Sequence, residues 1–134
     1  MKTTHRFFLL AVLASLFYLP SLKAQGKLTI TYQAINTIAG YDHVSRLQVL
    51  VDGQEVGVSK EKIQSQKNKV TVKVPTGEHT VVCSLWAKYN NNWEERTLAN
   101  NYSFDWRFEK KMALKSSNKL NLVFDVNKNS VLEK

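Results

Sequence analysis

The chain has 134 residues and a formal net charge of +8, with 19 Lys and Arg against 11 Asp and Glu. Its single cysteine excludes an intramolecular disulfide, and its length suits one domain rather than several. A domain of this kind must be held together by buried apolar surface, and a chain of this size can bury well over half of the surface that it exposes when unfolded.

The first predicted element is a secretory signal peptide over residues 1–24. Lys2 and Arg6 supply a positive start, the apolar run FFLLAVLASLFYL follows at 7–19, and a proline breaks it before a small-residue cleavage site. We expect cleavage after Ala24 and a periplasmic or secreted product. The run is 13 residues long, short of the roughly 20 that span a bilayer, which favours a cleaved signal peptide over an uncleaved anchor. The sequence has no second long apolar segment, so we expect no membrane span after cleavage.

Removal of the signal peptide leaves a predicted domain at residues 25–134, with 110 residues. Three of the 19 basic residues and none of the 11 acidic ones are lost, so the formal charge falls to +5. Only three arginines remain, and the lysines are scattered through turns and outward strand positions. Nucleic-acid surfaces cluster arginine with stacking aromatics, so we expect no nucleic-acid partner. The oligomeric state is left open.

The remainder of the chain alternates apolar and polar residues with a period of two, which predicts strands. The segments are LTITYQA at 28–34, RLQVLVDGQEVGVSK at 46–60, KVTVKV at 69–74, HTVVCSLWAKY at 79–89, NYSFDWRF at 101–108 and KLNLVFDV at 119–126. About seven strands joined by short turns predict an all-β fold. The expected architecture is a single antiparallel β-sandwich, immunoglobulin-like or transthyretin-like.

An Asp-Gly dipeptide at residues 52–53 predicts a hairpin with a two-residue type I′ turn. This turn would pair Val49 with Val56 and Leu47 with Val58. Both apolar pairs would then fall on one face of the sheet, so the turn and the hydrophobic pattern agree on the register.

The segments LQVLVDGQEVG at 47–57 and VTVKVPTGEHTVVCSL at 70–85 resemble the small β-repeats of PEGA-type bacterial envelope domains. Those repeats run through a strand, an Asp-Gly turn, a strand with a glycine, a loop, a valine strand, a Gly-Glu-His turn and another strand. The resemblance spans residues 47–85. It implies a non-catalytic bacterial envelope module and assigns no functional residue.

His79 and Cys83 lie four apart and invite a metal-site hypothesis. In a strand both point to the more apolar face, but four strand residues span about 13 Å. Two ligands of one zinc ion must lie within roughly 4 Å of each other. We therefore predict a buried structural cysteine, a histidine at the strand end, and no metal site.

The other candidate chemistry is similarly incomplete. His43 follows Asp42, yet neighbouring residues of an extended chain point apart, and no nucleophile elbow, phosphate loop or HExxH helix is present. The sequence DVNKNS at 125–130 begins like a calcium loop but lacks its glycine and closing glutamate. We predict a frayed C-terminal tail there, no catalytic residues and no cofactor.

The tryptophans supply the candidate binding site. The alternating aromatics of residues 101–108 are assigned mostly to the core, whereas Trp86 falls on the polar face of its strand. If Tyr89 pairs with Trp93 across an Asn-rich turn, Trp86 faces Arg96 in a cation–π contact. The possible ligand-binding residues are Trp86, Trp93, Asn91 and Arg96. A surface tryptophan capped by arginine is the alternative interpretation.

These observations predict an exported, non-catalytic β-sandwich binding module that acts on a cell-envelope component or a partner protein. The alternative is a carbohydrate-binding module in which Trp86 and Trp93 stack on sugar rings. A hydrolase comes third, because no nucleophile, base and orienting group can be named together.

Overall fold

The computed structural model describes residues 24–134. The predicted signal peptide, apart from Ala24, lies outside the described residues. The strands are β1 (Gln25–Ile35), β2 (Val44–Val51), β3 (Gln54–Val58), β4 (Lys62–Ile63), β5 (Asn68–Pro75), β6 (Gly77–Tyr89), β7 (Asn92–Glu95), β8 (Arg107–Leu114), β9 (Ser117–Asp125) and β10 (Ser130–Glu133). A 3₁₀ turn, Leu98–Asn100, precedes β8. Within this part of the chain, no helix is long and apolar enough to cross a membrane.

The predicted all-β sandwich is confirmed, and it consists of two sheets. The four-stranded sheet has the order β10-β9-β1-β5. In the six-stranded sheet β2 and β6 are central; β3 and β4 pair with successive parts of β2, and β7 and β8 pair with successive parts of β6. The β1–β9 pair is parallel, and the other pairs are antiparallel.

The core lies between the two sheets and is built from the period-two positions. In β1, β2, β5, β6 and β9 the inward side chains are buried and most of their outward neighbours are not. The inward residues are Leu28, Ile30, Tyr32, Ala34, Leu47, Val49, Val51, Val70, Val72, Val74, Val81, Cys83, Leu85, Leu120, Leu122 and Phe124. The hydrophobic pattern therefore assigned the faces of these strands correctly.

The hairpin register is correct at the turn and wrong beyond it. Residues 52–53 both have positive φ, 49° and 81°, as a type I′ turn requires. A bulge then shifts the pairing, so that Val49 faces Gly57 and Gln48 faces Val58. Both predicted apolar pairs are therefore wrong.

The bulge brings a glycine to the point where β3 approaches β5. A Cβ on Gly57 would lie 2.4 Å from Cγ1 of the buried Val72. The extra residue of the bulge, Val56, is partly buried against the core. The residues of the turn do not predict this contact, because it forms between strands of opposite sheets.

The β6–β7 turn also differs from the prediction. Asn90 and Asn91 both have positive φ, 49° and 62°, and form a two-residue turn. Lys88 rather than Tyr89 therefore pairs with Trp93. Arg96 lies beyond the end of β7, so the predicted cation–π contact between Trp86 and Arg96 is wrong.

The predicted frayed tail is wrong as well, because residues 130–133 pair with β9 as strand β10. Asp125 closes the turn between them. Its Oδ1 accepts hydrogen bonds from Asn36 Nδ2 at 2.9 Å and from the Asn127 amide at 3.0 Å. The Asn36 bond in particular lowers the pKa of Asp125 from its ordinary value.

Candidate ligand-binding cleft

A cleft of about 530 Å³ opens at the end of the sandwich where β1, β6 and β9 finish. We call it the end cleft. Its walls come from the β1–β2 connection, the residue after β4, the end of β6, the β7–β8 connection and the residue after β9. Six of the side chains that line it carry rings: Tyr41, His43, Tyr89, Tyr102, Phe104 and Trp106.

One ring cluster comes from the β7–β8 connection. The ring centroids of Tyr102 and Phe104 are 5.6 Å apart, those of Phe104 and Trp106 are 4.6 Å apart, and Trp106 contacts the core ring of Phe124 at 5.8 Å. Trp106 is only 1% exposed. This cluster is therefore anchored in the core of the sandwich.

The second cluster lies at the rim. The ring centroid of His43 lies 6.4 Å from that of Tyr41 and 5.9 Å from that of Tyr89, and both contacts are edge to face. Tyr41 is 66% exposed and Tyr89 is 49% exposed. Gln64 supports the loop that carries two of these rings. Its side-chain Nε2 donates to the Tyr41 carbonyl at 2.9 Å, and its backbone N–H donates to the His43 carbonyl at 2.9 Å.

Residues 101–106 do not form the predicted strand, which begins only at Arg107. Asn101 has a left-handed φ of 65° and ends the 3₁₀ turn. The chain then folds back, so that the Tyr102 amide donates to the Thr97 carbonyl at 3.1 Å and the Trp106 amide donates to the Arg96 carbonyl at 2.7 Å. The predicted strand is therefore wrong for residues 101–106, whereas the assignment of these aromatics mostly to the core is correct for Trp106, which is buried, and for Phe104 and Phe108, which pack against the core.

Arg96 is the charged group of the end cleft, and it is only 8% exposed. Its guanidinium carbon lies 4.6 Å from the ring centroid of Tyr102. Nη2 of Arg96 is buried and has no hydrogen-bond partner among the described residues, and the same holds for the indole Nε1 of Trp106. Two buried donors of the cleft therefore have no acceptor in this part of the chain.

The Glu94 carboxylate is hydrogen-bonded to a tyrosine that lines the end cleft. The Tyr102 hydroxyl donates to the Glu94 carboxylate. Burial, together with this bond, raises the pKa of Tyr102 from its ordinary value. Among residues 24–134, no carboxylate oxygen lies within 4.0 Å of the Arg96 guanidinium.

The structure separates the four predicted binding residues. Trp86 and Trp93 share the outer face of the six-stranded sheet, the face away from the core. The indole N–H of Trp86 donates to Gln48 Oε1 at 3.0 Å, and the Arg46 guanidinium lies 4.2 Å from the ring centroid of Trp93. Asn91 is in the β6–β7 turn. Arg96 alone belongs to the end cleft.

His79 and Cys83 have different surroundings although they share a strand. Nδ1 of His79 is 2.5 Å from Asp52 Oδ2, and its Nε2 is 3.0 Å from the Thr76 carbonyl oxygen. Cys83 is fully buried in the core, and burial raises the pKa of its thiol to about 12. Within residues 24–134, no group of three His, Cys, Asp or Glu side chains could hold a metal ion.

His43 and Asp42 are also divided between two environments. Asp42 accepts hydrogen bonds from the backbone amide and the hydroxyl of Ser65, whereas the His43 ring lies in the end cleft. Sequence reasoning missed the end cleft because its walls come from four connections that lie far apart in the sequence. The available signal was the pair of large apolar residues, Ile38 and Tyr41, in a short Gly-containing loop between predicted strands.

Comparison with known proteins does not assign the chain to a family. No family model matches the chain, and no curated protein matches it. A solved structure described as "Trapped Toxin" is 12% identical with a TM-score of 0.38, and the match covers 84% of this chain and 23% of that chain. The chain thus spans less than a quarter of the length of that solved chain. A similarity at this level does not identify a function.

Proposed function

We propose that this protein is an exported, non-catalytic binding module whose ligand occupies the end cleft. The observation that carries the proposal is the cleft itself, about 530 Å³ in volume and walled by aromatic rings. Small-molecule sites are typically concave, mostly apolar and roughly 300–1,000 Å³ in volume, with a few polar groups that orient the ligand. Among its polar groups, Arg96 Nη2 and the Trp106 indole N–H are buried without a partner in the described chain.

The side chains of the end cleft favour binding over catalysis. Its titratable lining residues are His43, Arg96 and three tyrosines, and Thr37 supplies the one aliphatic hydroxyl among the described lining residues. A nucleophile with an adjacent base and an orienting group would be expected in a hydrolase. His43 instead contacts two tyrosine rings.

Export to the bacterial envelope is supported by the sequence pattern of residues 1–24 and by the position of β1. This strand begins at Gln25, immediately after the proposed cleavage site. The PEGA-type sequence resemblance over residues 47–85 supports an envelope role. The proposed partner is therefore an envelope component or another exported protein.

A binding screen tests the proposal. We expect small amphipathic compounds to raise the melting temperature of the purified protein and to change its tryptophan fluorescence. Tyr41→Ala and Tyr89→Ala each remove an exposed ring of the cleft without opening the core, and each should weaken binding by about tenfold. Trp93→Ala is the control, because it removes a ring from the outer face.

A glycan array distinguishes the carbohydrate-binding alternative. Trp93 already contacts the Arg46 guanidinium, so a sugar would have to displace that contact. We expect no glycan binding that depends on Trp86 or Trp93. Binding that is lost in Trp93→Ala and retained in Tyr41→Ala would overturn the end-cleft proposal in favour of the outer face.

A further inference from the structure

The end cleft contains hydrogen-bond donors that the described protein atoms leave unsatisfied. Nη2 of Arg96 and Nε1 of Trp106 are both buried without an acceptor among residues 24–134. Their backbones are joined by the 2.7 Å hydrogen bond from the Trp106 amide to the Arg96 carbonyl, and both side chains line the same cleft. Buried donors without partners are rare in native proteins and require an explanation.

Nη2 of Arg96 and Nε1 of Trp106 share one chemical property, since each can donate a hydrogen bond and neither can accept one. A guanidinium has five N–H donors and an indole has one, and neither can accept a hydrogen bond. Arg96 also carries a full positive charge at a site that is 92% buried, as its 8% exposure indicates. The complementary ligand group is therefore an acceptor with negative charge.

From these observations, we infer that the end cleft recognises a carboxylate attached to an apolar ring, and that Arg96 binds the carboxylate. This inference rests on the proposed function, since it names the chemical class of ligand for the same site. The planar fork of a guanidinium matches the two oxygens of a carboxylate, and charge-assisted bonds of this kind are about twice as strong as neutral ones. The ring clusters around Phe104 and Tyr89 contact the apolar part.

The charge of the cleft favours a monoanion over a phosphate group. Arg96 is the only arginine or lysine among the described lining residues. A phosphate carries more charge and is typically bound by several cations or by a cluster of backbone amides. Glu94 does not neutralise Arg96, because it accepts the Tyr102 hydroxyl and lies outside ion-pair distance of the guanidinium.

The experiment compares matched acids and amides in a calorimetric titration of the purified protein. The probes are 3-phenylpropanoate and its neutral amide, and a short peptide with a C-terminal phenylalanine as the free acid and as the amide. We expect an acid to bind at least about tenfold more tightly than its amide, as expected for a hydrogen bond to a charged group. Preference for the small acid identifies a free metabolite-like ligand, and preference for the peptide acid identifies the C-terminus of a partner protein.

Three variants assign the preference to Arg96. Arg96→Met should abolish the difference between acid and amide, and Arg96→Lys should retain part of it because the charge remains while the planar fork is lost. Arg46→Met, on the outer face, should leave the difference unchanged. Far-UV circular dichroism confirms that each variant is folded.

The acid–amide comparison in the unmodified protein decides the inference without any variant. Equal binding of acid and amide would overturn the carboxylate assignment and leave the end-cleft binding module intact. Absence of binding by all four probes, while other compounds of the screen bind in a Tyr41-dependent manner, would also overturn it. If no compound binds in that manner, the proposed function itself fails.

Discussion

Substitution of Arg96 by methionine should stabilise the ligand-free protein. Nη2 of Arg96 is buried without an acceptor in the described chain, and an unsatisfied charged donor costs about 2 kcal/mol. Methionine keeps an apolar stem of similar length and removes the charge. It also removes the cation–π contact with Tyr102, at 4.6 Å, which contributes about 1 kcal/mol. The difference is a net stabilisation of about 1 kcal/mol.

Equilibrium unfolding in urea and a thermal melt measure this difference. For a domain of roughly 100 residues, about 1 kcal/mol corresponds to a rise of about 4 °C in melting temperature. The matched control is Arg107→Met. Arg107 forms an exposed pair with Glu109 at 2.8 Å, so its loss should change the free energy of unfolding by less than about 0.5 kcal/mol.

A destabilisation of more than about 1 kcal/mol in Arg96→Met would refute the reasoning. It would mean that the guanidinium is satisfied in the free protein and serves the fold. The expected gain, together with the loss of acid preference, would instead mark Arg96 as a residue retained for binding at a cost in stability.

Three other predictions concern the fold. Cys83 should resist thiol reagents in the folded protein and react on denaturation, because it is fully buried and its pKa is raised to about 12; rapid labelling of the native protein would contradict this. Gly57→Ala should cost about 1–3 kcal/mol in urea unfolding, since the new Cβ meets Val72 at 2.4 Å, and Val72→Ala in the same chain should recover part of the loss. Asp125 has a lowered pKa in the folded state, so its contribution to stability is present above its ordinary pKa and is lost as the pH falls through the lowered value. Asp125→Asn should therefore be less stable than the parent at neutral pH and approach it as the pH falls through the lowered pKa of Asp125; a difference that does not depend on pH would contradict the role of the carboxylate.

The sequence by itself predicted the fold class and the inward faces of the long strands. Residues such as Ile30, Val72 and Leu122 lie in segments where apolar and polar residues alternate, and successive strand side chains point to opposite faces. Such a pattern is local, so it can be read without knowing the neighbouring strands. The type I′ turn at residues 52–53 can likewise be predicted from local sequence, because an Asp-Gly pair favours the positive φ that this turn requires.

Only the tertiary structure decided the registers. The Asp-Gly turn specifies its first pairs, but the bulge that follows depends on the approach of Gly57 to Val72 in the opposite sheet. Likewise, three consecutive asparagines at 90–92 permit turns of different length, and pairing across β6 and β7 selects two residues. A shift of one residue moves every side chain beyond it to the other face, which is why the predicted partner of Trp86 was wrong.

The end cleft depends on tertiary structure even more than the strand registers do. Residues 101–106 alternate like a strand, yet the left-handed Asn101 and the bonds from Tyr102 and Trp106 back to residues 96–97 make them a loop. The rings of Tyr102, Phe104 and Trp106 contact one another in sequence order within this loop. The alternating pattern of the segment is therefore compatible both with a core strand and with the wall of a cleft. The burial of Arg96 arises only when this connection folds back on itself, with the guanidinium carbon 4.6 Å from the ring centroid of Tyr102. The sequence determines which side chains are available, whereas the unsatisfied donors of the cleft exist only because the folded chain surrounds them without supplying an acceptor.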